Sequence, residues 1–372
     1  VKIGRNIKSN RNYVNFTSAM GGRNSDSFWG GGSFGSASNP EKYQFIVESG
    51  VYNSLSLTMG ASTGTNGTQL YTEMYGIYGN DYDRATENNE NLLVYFCASG
   101  SWGGRIYSSN NDLTPALNTI VKSGRFGTHD IDHTSGIYVG GRQGGTHYAP
   151  RLAKIEGGYV ANLIGGPLTA SSKGSTNDTY IYMTGGEADT ITGGAGTSTT
   201  YGNRILQITG GTVNYSVFGG SNGYDGSSSD GTLTGDSYVY IGGTATIGND
   251  TYMSNNQTIW GAEAGSVFGS GNGNSRYATI GSVNHSNIVV ADQAVIKRNV
   301  YGSGNYGTVG YSASNNTSTS IQLVGGTVNG SVFGSGNHSG SGRNGRVTST
   351  IQITLNGGHV LDSIYGGSNQ EG

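Results

Sequence analysis

Apolar residues in this chain occur in short alternating blocks that end at small, glycine-rich corners. From Tyr43 onward the blocks recur, and near the end of the chain Ile351, Ile353 and Leu355 alternate with polar residues before the pair Gly357-Gly358. Alternation of this length, bounded by glycine, is typical of β-strands. Glycine adopts the positive φ angles that turn a chain within one or two residues. The pattern therefore predicts a repeated unit of strand, glycine corner and strand.

A seven-residue motif closes the unit, and it runs from a small residue through a β-branched and an aromatic residue to glycine and asparagine. Its copies are Ser216–Asn222, Ser266–Asn272, Asn299–Asn305, Ser331–Asn337 and Ser363–Asn369. The β-branched positions, from residue 217 to 364, are separated by 50, 33, 32 and 32 residues. Self-similarity with a period of about 20–50 residues indicates stacked repeats.

Stacking these units in register would place equivalent side chains directly above one another. Strands would then lie roughly 4.8 Å apart, with asparagine amides bonded along the stack and aromatic rings face to face. The predicted stacking residues are Val217, Phe218, Asn222, Val267, Phe268, Asn272, Val300, Tyr301, Asn305, Val332, Phe333, Asn337, Ile364, Tyr365 and Asn369.

The predicted fold is all-β: a β-solenoid of stacked two-legged β-arches with parallel, in-register sheets. Residues 151–372 carry the regular β-arch repeats of one continuous solenoid, whereas residues 1–150 form irregular coils of it with long polar loops. An all-β sandwich or a propeller stays open as an alternative. A propeller blade needs about 40–45 residues and four strands, which is more than these units supply.

Composition excludes several classes of protein. Glycine supplies 68 of 372 residues, and charged residues make up 12%, about half of the usual share. The net charge of −3 comes without a basic stripe, so no nucleic-acid partner is expected. No apolar run approaches the roughly 18 residues of a transmembrane segment. Low charge and a single cysteine, Cys97, favour an extracellular protein of the cell surface or cell envelope.

Candidates for chemistry are few. His129-Asp130-Ile131-Asp132-His133 could ligate a divalent metal, but alternating side chains of a strand point to opposite faces, which favours a solvated loop. Glu187 and Asp189 share one face of a strand, but nothing marks a second member of a catalytic pair on an adjacent coil, which favours a structural or incidental role. We therefore predict no catalytic, cofactor-binding or metal-binding residue, and no enzyme. The 25 tyrosines leave open a partner role for surface glycans.

The last unit is as regular as those before it. An exposed edge strand is a template for further pairing, and natural stacks usually end in a polar cap. Either the chain is a piece of a longer protein, or this edge pairs with the next copy in an open, head-to-tail homopolymer. The candidate subunit-edge residues are Ile351, Ile353, Leu355, Ile364 and Tyr365.

The segments Gly210–Asn222 and Gly325–Asn337 share the form Gly-Gly-Thr-Val-x-x-Ser-Val-Phe-Gly. This form resembles repeats of prokaryotic secreted β-solenoid surface proteins, including adhesin-like solenoids. It is also similar to the β-arch repeats of the cell-sheath proteins of filamentous methanogenic archaea. The resemblance covers residues 152–369 and implies an amyloid-like, self-assembling structural protein.

Pattern and resemblance together predict a structural extracellular protein that assembles edge to edge into a cell sheath, filament or surface layer. The alternative is an adhesin or glycan-binding solenoid module of a larger surface protein. A polysaccharide-degrading enzyme is the third hypothesis, and it would depend on Glu187 or Asp189.

Overall fold

The structure is a computed structural model that describes residues 136–139, 151–166, 178–196, 200–222, 235–255, 261–273, 281–310, 317–339 and 350–371. Outside these ranges it describes the backbones of individual strands and a few single residues. The described chain is all-β, as the sequence predicts, and one five-residue helix, Asp250–Ser254, interrupts its described strands. Among the described residues, no helix has the length and apolar character that crossing a membrane requires.

Most strands pair in parallel, which confirms the predicted strand direction. The antiparallel pairs among the described strands are small: Glu41–Tyr43 with Ile77–Gly79, Ser62–Thr63 with Gln69–Leu70, and Thr258–Ile259 with Ala262–Glu263. Two short parallel pairs join Lys2–Ile3 to Ile46–Val47 and His338–Ser339 to Gln370–Glu371. All other strands belong to one large sheet system.

Each regular unit contributes to three ladders of strands, not to the two legs that the sequence predicts. The first ladder contains Leu93–Trp102, Leu117–Phe126, Arg151–Ile155, Thr179–Thr192, Arg204–Val213, Ser237–Ile241, His285–Val290, Ser318–Val328 and Thr350–Val360. The second ladder follows the glycine corner. It contains Lys8–Ser9, Val51–Tyr52, Tyr159–Ile164, Thr246–Ile247, Val295–Ile296 and the second halves of the long strands named above.

The third ladder, here called the corner ladder, carries the repeated motif. It contains Ser27–Trp29, Ser56–Thr58, Arg105–Tyr107, Gly136–Tyr138, the ends of Tyr159–Ile164 and Thr179–Thr192, then Val217–Phe218, Val267–Phe268, Val300–Tyr301, Val332–Phe333 and Ile364–Tyr365. The second leg is divided because three residues without strand pairing, Asn214 to Ser216, bend the chain between Val213 and Val217.

Six strands of the first and second ladders close into a ring. Arg204–Val213 and Ser318–Val328 each run through a glycine corner and belong to both ladders. Between them, each ladder is continued by separate short strands: Ser237–Ile241 and His285–Val290 in the first, Thr246–Ile247 and Val295–Ile296 in the second. The ring therefore arises because two ladders are joined at both ends by continuous strands.

One apolar core lies between the three ladders. In the unit that begins at Thr179, the first ladder contributes Ile181 and Met183, the second Ala188, and the corner ladder Ile191, and all four side chains are fully buried. The alternation of buried and half-buried residues along Arg151–Ile155 shows the period of two that the sequence predicts. Burial of each large aliphatic side chain contributes about 1.5–3 kcal/mol, so the core grows with every added unit.

The glycine corners require a left-handed backbone. The second glycine of the pair has a positive φ in successive units, for example 79° at Gly186 and 72° at Gly326. Where the sequence lacks the pair, Asp292 adopts φ 56°, the one positive value among the described residues other than glycine. The Asp292 carboxylate accepts hydrogen bonds from the Gly243 N–H at 2.7 Å and from the Tyr240 hydroxyl at 3.1 Å. These bonds fasten the corner at Asp292 to the corner of the preceding unit.

The position that follows the aromatic residue of the motif is glycine in each unit, because the next unit lies too close for a side chain. A Cβ added to any of these glycines would strike the residue that opens the next first-ladder strand or its close neighbours. The pairs are Gly165 with Thr179, Gly193 with Arg204, Gly219 with Ser237, Gly269 with Ser286, Gly302 with Thr319 and Gly334 with Ile351. In the last unit, a Cβ on Gly366 would meet nothing within 4 Å. Close approach of successive units, and not backbone angle alone, thus selects glycine here.

Replacing Gly302 by alanine is expected to destabilise the chain by about 1–3 kcal/mol, the usual cost of overpacking. The added methyl group would meet Thr319 and the backbone of Gly334. Gly366→Ala is the matched control, because its methyl group has open space. Urea denaturation of both variants checks this, and equal midpoints would contradict the proposed contact.

Candidate functional site

The predicted β-branched stacking residues lie opposite one another in the corner ladder. Val217 is in register with Val267, Val267 with Val300, Val300 with Val332, and Val332 with Ile364. The four valines are fully buried. Because the motif has the same length in each unit, one register serves all five copies.

The predicted aromatic residues form a continuous stack. Phe218, Phe268, Tyr301, Phe333 and Tyr365 have ring centroids 4.9–5.0 Å apart and interplanar angles of 7–9°. This spacing follows the strand separation of the parallel ladder. The stack is therefore a consequence of register, and it adds aromatic contact along the outside of the core.

The predicted asparagines form a directional hydrogen-bond chain. The Nδ2 of Asn272 donates to Oδ1 of Asn222 at 3.3 Å, and Asn305 donates to Asn272 at 3.0 Å. Asn337 then donates to Asn305, and Asn369 to Asn337, both at 2.9 Å. Each amide inside the chain is buried and uses both its donor and its acceptor on neighbouring units. A buried amide placed elsewhere would lose these partners at a cost of about 1–3 kcal/mol.

The column of Val217 extends further than the motif predicts. It continues through Ile191, Leu163 and Ile137, and by backbone register through Ile106, Leu57 and Phe28. Sequence reasoning missed Leu163 and Ile191 because neither is followed by the aromatic residue. The signal that identifies them is the Gly-Gly pair two residues later, at Gly165-Gly166 and Gly193-Gly194.

The predicted edge residues lie on an exposed face, here called the terminal face, made by Thr350–Val360 and Ile364–Tyr365. Leu323 is 1% exposed, whereas Leu355, its partner in register, is 50% exposed. Val332 is 0% exposed and its partner Ile364 is 43% exposed. Ile351, Ile353 and Tyr365 are also partly or largely exposed. Ile353, Leu355, Ile364 and Tyr365 lie opposite residues of the preceding unit that are buried and apolar, whereas Ile351 lies opposite the buried Thr319.

Strands at the opposite end of the ladders also pair on one side only, among the strands that the structure describes. Lys8–Ser9 pairs with Val51–Tyr52, and Ser27–Trp29 pairs with Ser56–Thr58. Both pairs are parallel. Among the described strands, those at the two ends of the stack therefore have the same direction and a described partner on one side only.

The carboxylates considered for catalysis take part in a buried polar network. Asn214 Nδ2 donates to Glu187 Oε1 at 2.7 Å and to Asp189 Oδ1 at 2.8 Å. The Tyr159 hydroxyl donates to Asp189 Oδ2 at 2.6 Å. Burial, followed by the charge of Asp189, raises the pKa of Tyr159 above its usual range. The Arg125 guanidinium lies 3.8 Å from the centroid of the Tyr159 ring. The hydrogen bonds join three successive units and give both carboxylates fixed donors, and the ring contact of Arg125 adds a fourth unit.

Other acidic residues have structural partners, and the candidate metal loop is not part of the described structure. Glu156 pairs with Lys154 at 2.7 Å, and Asp292 holds a glycine corner. The segment His129–His133 lies outside the described residues. Within the described ranges, no group of three or more His, Cys, Asp or Glu side chains is placed to hold a metal ion.

Comparison with known proteins gives no relative: no family, no curated protein and no solved structure matches this chain.

Tyr301 gives the stack an expected dependence on alkaline pH. Its hydroxyl accepts hydrogen bonds from Asn299 Nδ2 at 2.8 Å and Asn369 Nδ2 at 3.3 Å. Burial, followed by the charge of Glu263, raises the pKa of Tyr301 above the ordinary value of 10.0. Above pH 10 the unfolded chain releases this proton while the folded chain retains it, so stability falls as pH rises.

Tyr301→Phe is expected to fold, because phenylalanine occupies this column in other units, and to reduce that alkaline loss. The difference in unfolding free energy between the two proteins should change by up to about 1.4 kcal/mol per pH unit above pH 10. Denaturant unfolding at several pH values between 9 and 12 measures it. Parallel pH profiles for both proteins would show that Tyr301 ionises as freely in the fold as out of it.

Proposed function

We propose that the chain is a β-solenoid subunit of an extracellular structural polymer, such as a cell sheath, a filament or a surface layer. In this proposal the three ladders are the faces of one solenoid, and copies of the chain join head to tail through the terminal face. The ring of six strands agrees with it, because the same pairings follow from two solenoid faces joined through glycine corners.

The exposure of core columns on the terminal face is the observation that carries the proposal. Leu355 and Ile364 have the same register positions as Leu323 and Val332, which the next unit covers completely. A unit of similar shape would cover them in the same way. Its backbone would pair with the open strands of Thr350–Val360, and an open parallel edge favours such addition.

The opposite end of the stack supplies a fitting partner. Lys8–Ser9 and Ser27–Trp29, which pair on one side only among the described strands, are parallel to the ladders that they extend. A contact between two different ends of identical chains is heterologous, and it produces an open polymer when no rotation closes it. The low charge of the chain, −3 in 372 residues, opposes such assembly little.

The extracellular assignment is supported by composition. Glycine, serine, threonine and asparagine dominate, charged residues make up 12%, and Cys97 is the one cysteine. Such a surface offers few charges for regulation and few reactive groups. It suits a protein whose role is mechanical.

Assembly is the direct test of this proposal. The wild-type protein is expected to form rods or sheets that sediment and that electron microscopy shows. Leu355→Lys should reduce the sedimented fraction at least tenfold, because assembly would bury an unpaired ammonium group. Gly366→Ala should also impair assembly without destabilising the chain. In an assembled pair, its methyl group would meet the start of the adjoining strand of the next copy, as a Cβ on Gly302 would meet Thr319.

Tyr238→Lys is the matched control, since it places the same charge on an exposed aromatic position away from the terminal face. Assembly of this variant should equal that of the wild type. A wild-type protein that stays monomeric at every concentration would contradict the proposal, as would undiminished assembly of Leu355→Lys.

Glycan binding is the second candidate, and exposed tyrosines favour it. Tyr201 is 42% exposed and Tyr238 is 40% exposed. Tyr180, which lies in the register column of Tyr238, is half-buried on the same outer side of the first ladder. Tyrosine rings with one wet edge suit contact with sugar faces.

A glycan array with the wild type and a Tyr201→Ala/Tyr238→Ala variant tests this candidate. The variant is expected to lose at least tenfold in affinity for any glycan that the wild type binds. Tyr365→Ala, which removes an exposed ring from the terminal face, is the control. Binding that survives in the double variant, or an array with no signal, would exclude this surface as a glycan site.

A further inference from the structure

The residues that open the first-ladder strands form a buried polar column. Arg151 is in register with Thr179, Thr179 with Arg204, and Arg204 with Ser237. All four side chains are buried. Polar groups in such a place need partners, because burial without a hydrogen bond is costly.

Arg204 obtains its partners from the turn that precedes its own strand. Its Nη1 donates to the carbonyl oxygen of Asn203 at 2.8 Å, and its Nη2 donates to that of Tyr201 at 3.0 Å. The charge of Asp178 also acts on this guanidinium in the favourable direction. For Arg204, one of the two buried arginines, the protein thus supplies hydrogen-bond acceptors for both terminal nitrogens.

Arg151 has no such acceptors among the described residues. Its side chain is 1% exposed, and Nε, Nη1 and Nη2 have no hydrogen-bond partner among the residues that the structure describes. The hydroxyl of Thr179, the next residue of the column, also has none. Burial, followed by the charge of Arg204, lowers the pKa of Arg151. A guanidinium remains charged in proteins, so this position has a positive charge and four donor atoms without an acceptor among the described residues.

Neighbouring stretches of the chain contain no acidic residue that could supply a counter-charge. Residues 133–155 and residues 157–177 include neither aspartate nor glutamate. The flanking carboxylates already have partners: Glu156 pairs with Lys154, and Asp178 Oδ1 accepts from the Asn203 N–H at 2.7 Å. Among the described residues, therefore, no carboxylate is bonded to Arg151, and an anion from solution would supply the missing counter-charge.

We propose that Arg151 and Thr179 form a binding site for a small inorganic anion of the size of chloride. Guanidinium N–H groups and the threonine hydroxyl would donate to the anion, and its charge would neutralise that of Arg151. Gly165 packs closely against the methyl group of Thr179, since a Cβ on Gly165 would lie only 2.9 Å from Cγ2 of Thr179. The complete burial of Arg151 further selects against large or strongly hydrated anions.

Such an anion would stabilise the junction where the regular repeats begin. Arg151–Ile155 pairs with Leu117–Phe126 on one side and with Thr179–Thr192 on the other. An anion that binds the folded state alone raises stability with its concentration. This site does not depend on assembly, so it can be tested in the non-assembling Leu355→Lys variant as well as in the wild type.

Thermal unfolding in sodium chloride and in sodium gluconate of equal ionic strength tests the site. Chloride is expected to raise the Tm of the wild type by about 3 °C relative to gluconate, which is too large to enter. Arg151→Met should abolish the difference. Lys154→Met, which removes a positive charge from the outer side of the same strand, should preserve it.

Line broadening of ³⁵Cl in nuclear magnetic resonance provides a second measurement on the wild type, and it stays decisive if Arg151→Met does not fold. Broadening that bromide reverses and gluconate does not is the expected result. Equal Tm values in both salts together with no specific broadening would overturn the proposal. Chloride dependence that persists in Arg151→Met would overturn it too.

Discussion

The in-register parallel pairing of successive units is the constraint on which the rest of this structure depends. Once Val267 lies opposite Val217, the aromatic ring, the glycine and the asparagine of the same motif must also meet their counterparts. A shift of one residue would turn every apolar side chain out of the core. The asparagine chain adds specificity, because a buried amide has its donor and acceptor satisfied only in the correct register.

Glycine makes this close pairing possible in two physically different ways. At the corner between the first two ladders it provides a left-handed backbone, as at Gly186. After the aromatic residue, glycine is required because it has no side chain. The next unit lies where a side chain would be, as at Gly302. The same requirement leaves an open space over Gly366, on the face where the core columns of the stack are exposed. Fold and proposed assembly therefore use one geometry.

Much of this arrangement could be predicted from the sequence, because stacked units repeat the same motif at regular spacing. The period of the motif and its constant length are sufficient to align Val217 with Ile364 and to expect parallel strands. The division of the second leg into two ladders could not be predicted, since Asn214-Tyr215-Ser216 carries no glycine or proline to mark a bend. Leu163 and Ile191 were missed because tertiary register, and not an aromatic neighbour, places them in the column. The isolation of Arg151 depends on which groups surround it in three dimensions, and no local pattern reveals it.

A three-dimensional reconstruction of the assembled protein by electron microscopy tests the central claim most directly. The column that begins at Phe28 and ends at Ile364 contains eleven residues in unbroken register. If copies continue this ladder, the axial repeat per subunit will be about 53 Å, eleven strand spacings of roughly 4.8 Å. Ile364 of one copy will then lie opposite Phe28 of the next. An assembly in which the terminal face remains open to solvent, or in which subunits meet side by side, would contradict the account.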